Sequence, residues 1–370
     1  MGNLFNERKE KSTKGELLSV TLSNGVTKFS DLNKKDNSNI KSGNYKVVKK
    51  NDIPYNSMRM WQGASGVSSY DGIVSPAYTV LVPNRNSNSN FYAVLFKKKS
   101  ILNLFTRFSQ GLTSDTWNLK YPILKDIIVP FTNLEEQKRI FKIFNVINNL
   151  LALYERKTRL LGKVRTFLTQ RLFSNSSKVS LYFDNKNWSE HKISEFLTER
   201  NEKVVPNSSI PLVSFTVEKG VTPKSKRYNR EFLVKDDNKK YKITKKDDIV
   251  YNPANLKFGA IARNKFGNAA FSPIYVTFIT KLNPAFTEFL VRRKNFINLA
   301  LKYQEGTVYE RMAVKSKDFL NLKIYLPNSS RDINHIAQIL QSLDTLVSLN
   351  KNKVSLITLI KKELLNTMFI

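Results

Sequence analysis

Arginine, asparagine, glutamine and hydroxyl side chains can read the edges of nucleic-acid bases, and lysine can hold phosphates. This chain gathers such residues in a few short stretches beside turn residues. Arg59, Trp61 and Gln62 stand just before Gly63, and Thr113, Ser114, Thr116, Trp117 and Lys120 follow Gly111. Later stretches offer Lys224, Lys226, Arg227 and Tyr228, then Asn255, Lys257 and Arg263, then Tyr309, Arg311 and Lys315. These sets are expected to touch DNA as groups, with phosphate contacts outnumbering base contacts. Polar loops are also ordinary on any surface, and Trp61 or Trp117 would serve equally as a plug of the core.

The charge balance agrees with a polyanionic partner. Lys and Arg number 61 against 30 Asp and Glu, a net charge of +31, and the excess is spread over the whole length rather than gathered in a tail. Whole folded faces should therefore be positive. With no cysteine and two histidines, His191 and His335, the chain excludes a disulfide scaffold, a zinc finger, an iron–sulfur site and a cysteine nucleophile. No apolar run reaches membrane-span length and no signal peptide opens the chain, so a cytoplasmic location is expected.

Enzyme signatures are missing. Gly162 is the sole glycine followed by lysine and lies in no phosphate-binding loop, and no Gly-x-Gly-x-x-Gly occurs. Asn252-Pro253-Ala254 falls short of the Asn-Pro-Pro-aromatic motif of adenine methyltransferases by its second proline and its aromatic. Asp247-Asp248 and Glu135-Glu136 have structural explanations, the latter at a helix start where the dipole favours acids. Catalytic residues, bound metal and cofactors of its own are therefore not expected.

The elements that position the loops are written twice. Lys50-Asn51-Asp52-Ile53-Pro54-Tyr55-Asn56 returns 196 residues later as Lys246-Asp247-Asp248-Ile249-Val250-Tyr251-Asn252, and Gly63-Ala64 returns as Gly259-Ala260. Gly25-Val26-Thr27, Ser75-Pro76, Gly111, Lys120 and Pro130 match Gly220-Val221-Thr222, Ser272-Pro273, Gly306, Lys315 and Pro327 within a residue or so of slack. Runs such as Ile73-Val74, Tyr78–Val82 and Tyr275–Ile279 read as strands, and Phe91–Phe96, Ile101–Phe108 and Phe286–Leu301 as helices. Mixed α/β halves follow.

Each copy closes on a long apolar-periodic stretch. Ile140, Ile143, Ile147, Leu150, Tyr154, Lys157, Leu161, Val164 and Leu168 step by three and four residues, and Ile336, Ile339, Leu343, Leu346, Asn350, Lys353, Ile357, Ile360 and Leu364 repeat them. Thr132 with Glu135, and Ser329 with Asp332, mark the helix starts. At about 1.5 Å per residue, some 40 residues make rods of about 60 Å. Two such rods are expected to pack antiparallel, with the globular halves at their opposite ends about a pseudo-twofold axis and the lysines and Asn350 fixing register. Apolar residues beyond the seam, among them Phe144, Leu151, Leu153, Leu160 and Phe167, point either to packing on the globular halves or to a docking face for another protein.

The expected division is a first globular domain at 1–131, a helix at 132–174, a second globular domain at 175–328 and a helix at 329–370, with the short polar stretch Ser174-Asn175-Ser176-Ser177-Lys178 as the linker from the first helix into the second half. Phe196–Lys203 matches Leu4–Lys11, so the first copy lacks a counterpart of the Trp188 stretch and its edge is expected to be incomplete.

Pro130-Phe131-Thr132-Asn133-Leu134-Glu135-Glu136-Gln137-Lys138 before a long helix resembles the proline then Leu-Glu-Glu-Gln signature of type I restriction–modification specificity subunits. Tyr55–Gly63 and Gly111–Ser114 resemble segments of their target-recognition domains. The resemblance implies two target-recognition domains, each reading one half of a split site in double-stranded DNA, held by spacer helices. It further implies two modification (methyltransferase) subunits bringing S-adenosylmethionine, and restriction subunits bringing ATP- and Mg-dependent translocation and cleavage. The second copy departs from the signature, with Ser330-Arg331-Asp332-Ile333 in its place. A shortened or recombined subunit that scaffolds the modification subunits without reading DNA is the alternative.

Overall fold

The computed structural model describes residues 1–33, 35, 40, 44–173, 188–224, 239–306 and 312–369. The chain divides into two compact units, Met1–Arg156 with Lys351–Ile370, and Lys157–Asn350. Among the described residues the helices are α1 (Ser89–Leu95), α2 (Lys99–Phe108), α3 (Tyr121–Leu124), α4 (Leu134–Leu172), α5 (Pro284–Val291), α6 (Lys294–Leu301), α7 (Ser316–Asn321) and α8 (Ser330–Thr367). The expected helix Phe286–Leu301 is thus two helices, broken at Arg292 and Arg293. Both long helices cross from one unit into the other, so the first unit is built from two stretches of chain and the second from the one stretch between them.

In the first unit an antiparallel sheet orders Phe5–Glu7, Tyr78–Pro83 and Ile53–Asn56, with Ile53 opposite Leu81 and Phe5 opposite Pro83. A second sheet joins Lys11–Ser12, Tyr45–Val48 and Gly72–Val74, beside the hairpin Leu18–Thr21 and Gly25–Lys28. The second unit repeats this plan. Leu197–Glu199, Val276–Thr280, Ile249–Tyr251 and Ile261–Arg263 form its main sheet, Lys203–Val204, Tyr241–Thr244 and Ala269–Phe271 the second, and Val213–Thr216 with Gly220–Pro223 the hairpin. It adds the antiparallel pair Trp188–Lys192 and Lys323–Pro327.

One buried ion pair recurs in both copies. Arg8 grips Asp52 through two hydrogen bonds of 2.7 and 3.0 Å, and Arg200 grips Asp248 through two of 2.8 and 3.0 Å. Each carboxylate also accepts a turn N–H, from Lys49 and Lys245. The chain reverses there through Asn51 and Asp247, both at positive φ (74° and 73°). Asn and Asp bear that conformation better than most side chains, so the repeated Asn-Asp and Asp-Asp dipeptides are a turn with its buried anchor.

The long helices run antiparallel within the first unit: Phe144 meets Phe369 at 5.7 Å between rings, and ten residues further along α4 the Tyr154 ring lies under the Lys353 ammonium at 5.4 Å. In the second unit Arg165 of α4 pairs with Asp344 of α8. The covered face of α4 carries Ile140, Phe144, Ile147, Leu151, Tyr154, Thr158, Leu161, Arg165, Leu168 and Leu172, a 4-3 heptad repeat. That of α8 carries Ile333, Ile336, Leu340, Leu343, Val347, Asn350, Val354, Ile357, Lys361, Leu364 and Met368.

Half of the expected seam is therefore corrected. Ile140, Ile147, Leu161 and Leu168, with Ile336, Leu343, Ile357 and Leu364, do face inward. Ile143, Leu150, Val164, Ile339, Leu346 and Ile360 are exposed instead, as are Lys157 and Lys353. The second seam position is four residues after the first, not three, because the bulky Phe144 and Leu340 take the buried places. Asn350 does lie buried on the seam, its amide donating to the Leu346 carbonyl at 2.7 Å. The start of α4 is also corrected: Asn133, not Thr132, caps it by accepting from the Glu136 N–H at 2.8 Å.

Candidate nucleic-acid interface

The loops that carry the candidate residues rest on a tyrosine buried beneath them. In the first unit Tyr55, fully buried, donates its hydroxyl to the Leu119 carbonyl at 3.0 Å, and Leu119 N–H returns to the Ser57 carbonyl at 2.9 Å. Burial raises the Tyr55 pKa well above the ordinary phenol value, so it stays a neutral donor. These bonds clamp the loop 57–63 to the loop 110–118, which is closed at its neck by Gln110 and Asn118 exchanging backbone bonds of 3.0 and 2.8 Å. Gly111 has φ of +145°, and a Cβ there would lie 2.6 Å from the Thr116 carbonyl oxygen, so the turn demands glycine.

On this platform the two loops converge. Trp61 and Trp117 meet edge to face at 5.2 Å, and Trp61 Nε1 donates to the Met58 carbonyl at 3.1 Å, so the pair is a clasp between loops rather than a plug of the core. Gln62, Thr113, Ser114, Thr116 and Lys120 are exposed around it, and Arg59 is half-exposed. Arg59 faces Asp115 across the gap at 4.0 Å. Asp115 was not among the residues singled out in the sequence; being acidic in a basic chain was its only signal.

The second unit rebuilds the platform from the repeat. Tyr251, fully buried, donates to the Val314 carbonyl at 3.0 Å, and Glu305 and Ala313 exchange backbone bonds of 3.0 and 2.9 Å. The Asn252 side chain caps the short 3-10 helix Pro253–Phe258 by accepting from Ala254 and Asn255 N–H. The Asn-Pro-Ala stretch is thus a turn with its own capping duty. Asn255 and Lys224 are exposed, Lys257 is half-buried near the Phe258 ring, and exposed Lys315 pairs with Glu305 at 2.6 Å.

Arg263 is the exception in this group. Mostly buried at the end of its strand, it lies 3.4 Å from both Asp247 and Glu288, and Glu288 also gathers Lys265 and Arg292. Its guanidinium neutralises acids of its own unit. Lys226, Arg227, Tyr228, Tyr309 and Arg311 lie outside the described residues. Among the described residues no cluster of three or more His, Asp or Glu is placed to hold a metal ion, and no helix is long and apolar enough to cross a membrane.

The signature residue Gln137 has a specific task. Fully buried, its amide nitrogen donates to the Asn86 and Thr132 carbonyls at 3.0 and 2.8 Å while its oxygen accepts from Asn88 N–H at 2.8 Å. It thereby ties the first turn of α4 to the loop that starts α1. Ile333 stands at the equivalent place in the second unit, buried and apolar, and there Asn283 reaches Asn334 at 2.9 Å instead.

Residues 2–161 match the family model of the type I restriction modification DNA specificity domain. The first part of the chain is therefore similar to the type I restriction–modification specificity family. Two specificity subunits of Methanocaldococcus jannaschii are similar over most of their length. The type I restriction enzyme MjaVIII specificity subunit is 23% identical over 86% of this chain and 78% of its own. The protein assigned as the MjaX specificity subunit is 23% identical over 78% and 69%. Among solved structures, the S subunit of a type I system from M. genitalium superposes with a TM-score of 0.62 at 16% identity, covering 100% of this chain and 94% of its own, which speaks for a shared fold.

The outer faces of the long helices stand out. In the first unit α4 exposes Ile143, Val146, Leu150 and Leu153, and α8 exposes Leu356, Leu359 and Ile360; in the second, Leu160, Val164 and Phe167 of α4 and Ile339, Leu346 and Leu349 of α8 are exposed. On α4 these residues again step by three and four. Each long helix thus carries a second apolar stripe that its own unit does not cover.

Proposed function

We propose that this chain is the DNA-reading subunit of a type I restriction–modification complex, each unit recognising one half of a bipartite target in double-stranded DNA. One observation carries the reading: the same buried tyrosine clamp and the same closed loop neck recur in both units, with exposed hydrogen-bonding and cationic side chains beside them. Arg59, Gln62, Thr113, Ser114, Thr116 and Asn255 present the groups that read base edges, and Lys120, Lys224 and Lys315 those that hold phosphates. The +31 net charge supplies the sequence-independent attraction.

The chain does no chemistry itself in this reading. Two modification subunits carry S-adenosylmethionine and methylate adenine at the site selected, and restriction subunits carry ATP- and Mg-dependent translocation and cleavage. The uncovered apolar stripes of α4 and α8 support docking of the modification subunits, since water-exposed Leu and Phe at heptad spacing are stabilised by covering helices.

The test is to co-express the full chain with a modification subunit in a methylation-free host and sequence the methylome. Methylation at a split motif is the expected result. Co-purification with a silent methylome would leave only scaffolding, and cutting by the lone chain would make it a nuclease.

A further inference from the structure

We infer that Arg59 and Asp115 act together as the reader of a single G·C base pair, the guanidinium on guanine and the carboxylate on cytosine. The inference rests on the DNA-reading function proposed above and specifies one element of the first half-target. Three features of the pair lead to it.

The first is availability. The two Arg–Asp pairs that anchor the repeated turn, Arg8–Asp52 and Arg200–Asp248, are each held by two short hydrogen bonds largely out of reach of water. Arg59 and Asp115 sit 4.0 Å apart with side chains 43% and 87% exposed, so neither group is consumed by the other.

The second is placement. Arg59 starts the 3-10 turn Met60–Gln62, its carbonyl accepting from Gln62 and Ala64 N–H at 3.0 and 3.1 Å. Asp115 stands on the turn where the Thr113 carbonyl accepts from Thr116 and Trp117 N–H at 3.0 and 3.1 Å. The Trp61–Trp117 clasp joins the two backbones. Both charges thus project from anchored turns, the preorganisation that base reading needs.

The third is the sign of Asp115. A loop that merely gripped phosphates would be weakened by an exposed carboxylate, because like charges repel. In the major groove a carboxylate has a use: it accepts from the cytosine amino group, while a guanidinium donates to guanine O6 and N7. A G·C pair presents those groups side by side. An A·T pair in the same place sets the adenine amino group against the guanidinium and the thymine carbonyl against the carboxylate, so each half of the reader meets a group of its own kind. Off target, Asp115 also draws Arg59 away from phosphates and disfavours non-specific binding.

The test uses the full chain and DNA selected by it from a randomised duplex library. A fixed G·C is expected in the half-motif read by the first unit. Replacing that guanine by 7-deazaguanine, which lacks N7 but keeps O6, should weaken wild-type binding several-fold, up to about tenfold, since one of the two acceptors of a bidentate contact is removed. The same replacement should leave Arg59→Ala unaffected. Asp115→Asn should narrow the gap between the G·C duplex and its A·T counterpart, and Asp115→Ala should tighten binding to unrelated DNA. Equal loss by Arg59→Ala on every sequence, or a selected motif with no 7-deazaguanine-sensitive position, overturns the inference while leaving sequence reading intact. Failure to select any motif overturns the reading on which it rests.

Discussion

At the scale of single residues, the buried charges are the sharpest commitments of this sequence. Asp248 is held by Arg200 and by the Lys245 N–H where water hardly reaches, so removing the carboxylate strands a buried guanidinium. Asp248→Ala should cost about 3–5 kcal/mol of stability, measured by urea denaturation, and Asp52→Ala should behave alike in the first unit. His191 offers a pH-dependent counterpart. Its Nδ1 lies 2.7 Å from Glu195 and its Nε2 2.7 Å from Ser189 Oγ, which also meets Asn328. The Glu195 contact raises the His191 pKa above 6.5, and His191 in turn lowers that of Glu195. A raised histidine pKa stabilises below its unfolded value and the gain is lost as pH rises through the folded one; the depressed Glu195 stabilises above its unfolded value and the gain is lost as pH falls. The pair should therefore matter most near pH 5–6, between the two ordinary pKa values, and the urea-midpoint difference between wild type and His191→Gln should shrink on either side.

At the scale of elements, the two faces of the long helices have separable roles. Phe369 is buried between Phe91 and Phe144, at 5.1 and 5.7 Å, and closes the core of the first unit with the last turn of α8. Phe369→Ala should cost about 3–5 kcal/mol, seen as a lower Tm. Leu150 and Leu153 lie on the outer stripe. Replacing both with Glu should leave Tm nearly unchanged and abolish co-purification with a modification subunit; a large fall in Tm would mean that the stripe is core. Gln137→Leu keeps the volume but strands the Asn88 N–H and two carbonyls, a loss of about 1–3 kcal/mol for each unpaired group, measurable by denaturation. The Leu-Glu-Glu-Gln signature thus has a local physical cause: its glutamine pins the first turn of α4 to the entry of α1.

At the scale of the whole molecule, the net charge of +31 predicts binding that falls steeply with salt. Lys120→Ala and Lys315→Ala should each lower the slope of log affinity against log salt by about one, without altering the selected motif. Fluorescence anisotropy across a salt series reads both effects, and a changed motif would move these lysines from phosphates to bases.

Much of this architecture was already visible in the amino-acid order. The duplication, the long helices and the glycine-bounded loops are local in the chain, because hydrophobic period, turn chemistry and self-similarity need no knowledge of what packs where. Two apolar stripes at heptad spacing lie side by side on α4, Ile140-Phe144-Ile147-Leu151 and Ile143-Val146-Leu150-Leu153, and spacing alone cannot choose between them. Folding chose the stripe carrying Phe144 because a large ring fills the space before Phe369, more than two hundred residues away. The same non-locality turned Arg263 inward to Asp247 and Glu288, and set Asp115 opposite Arg59. Which side chains a chain owns is written in its order; which of them meet depends on distant segments that only packing brings together.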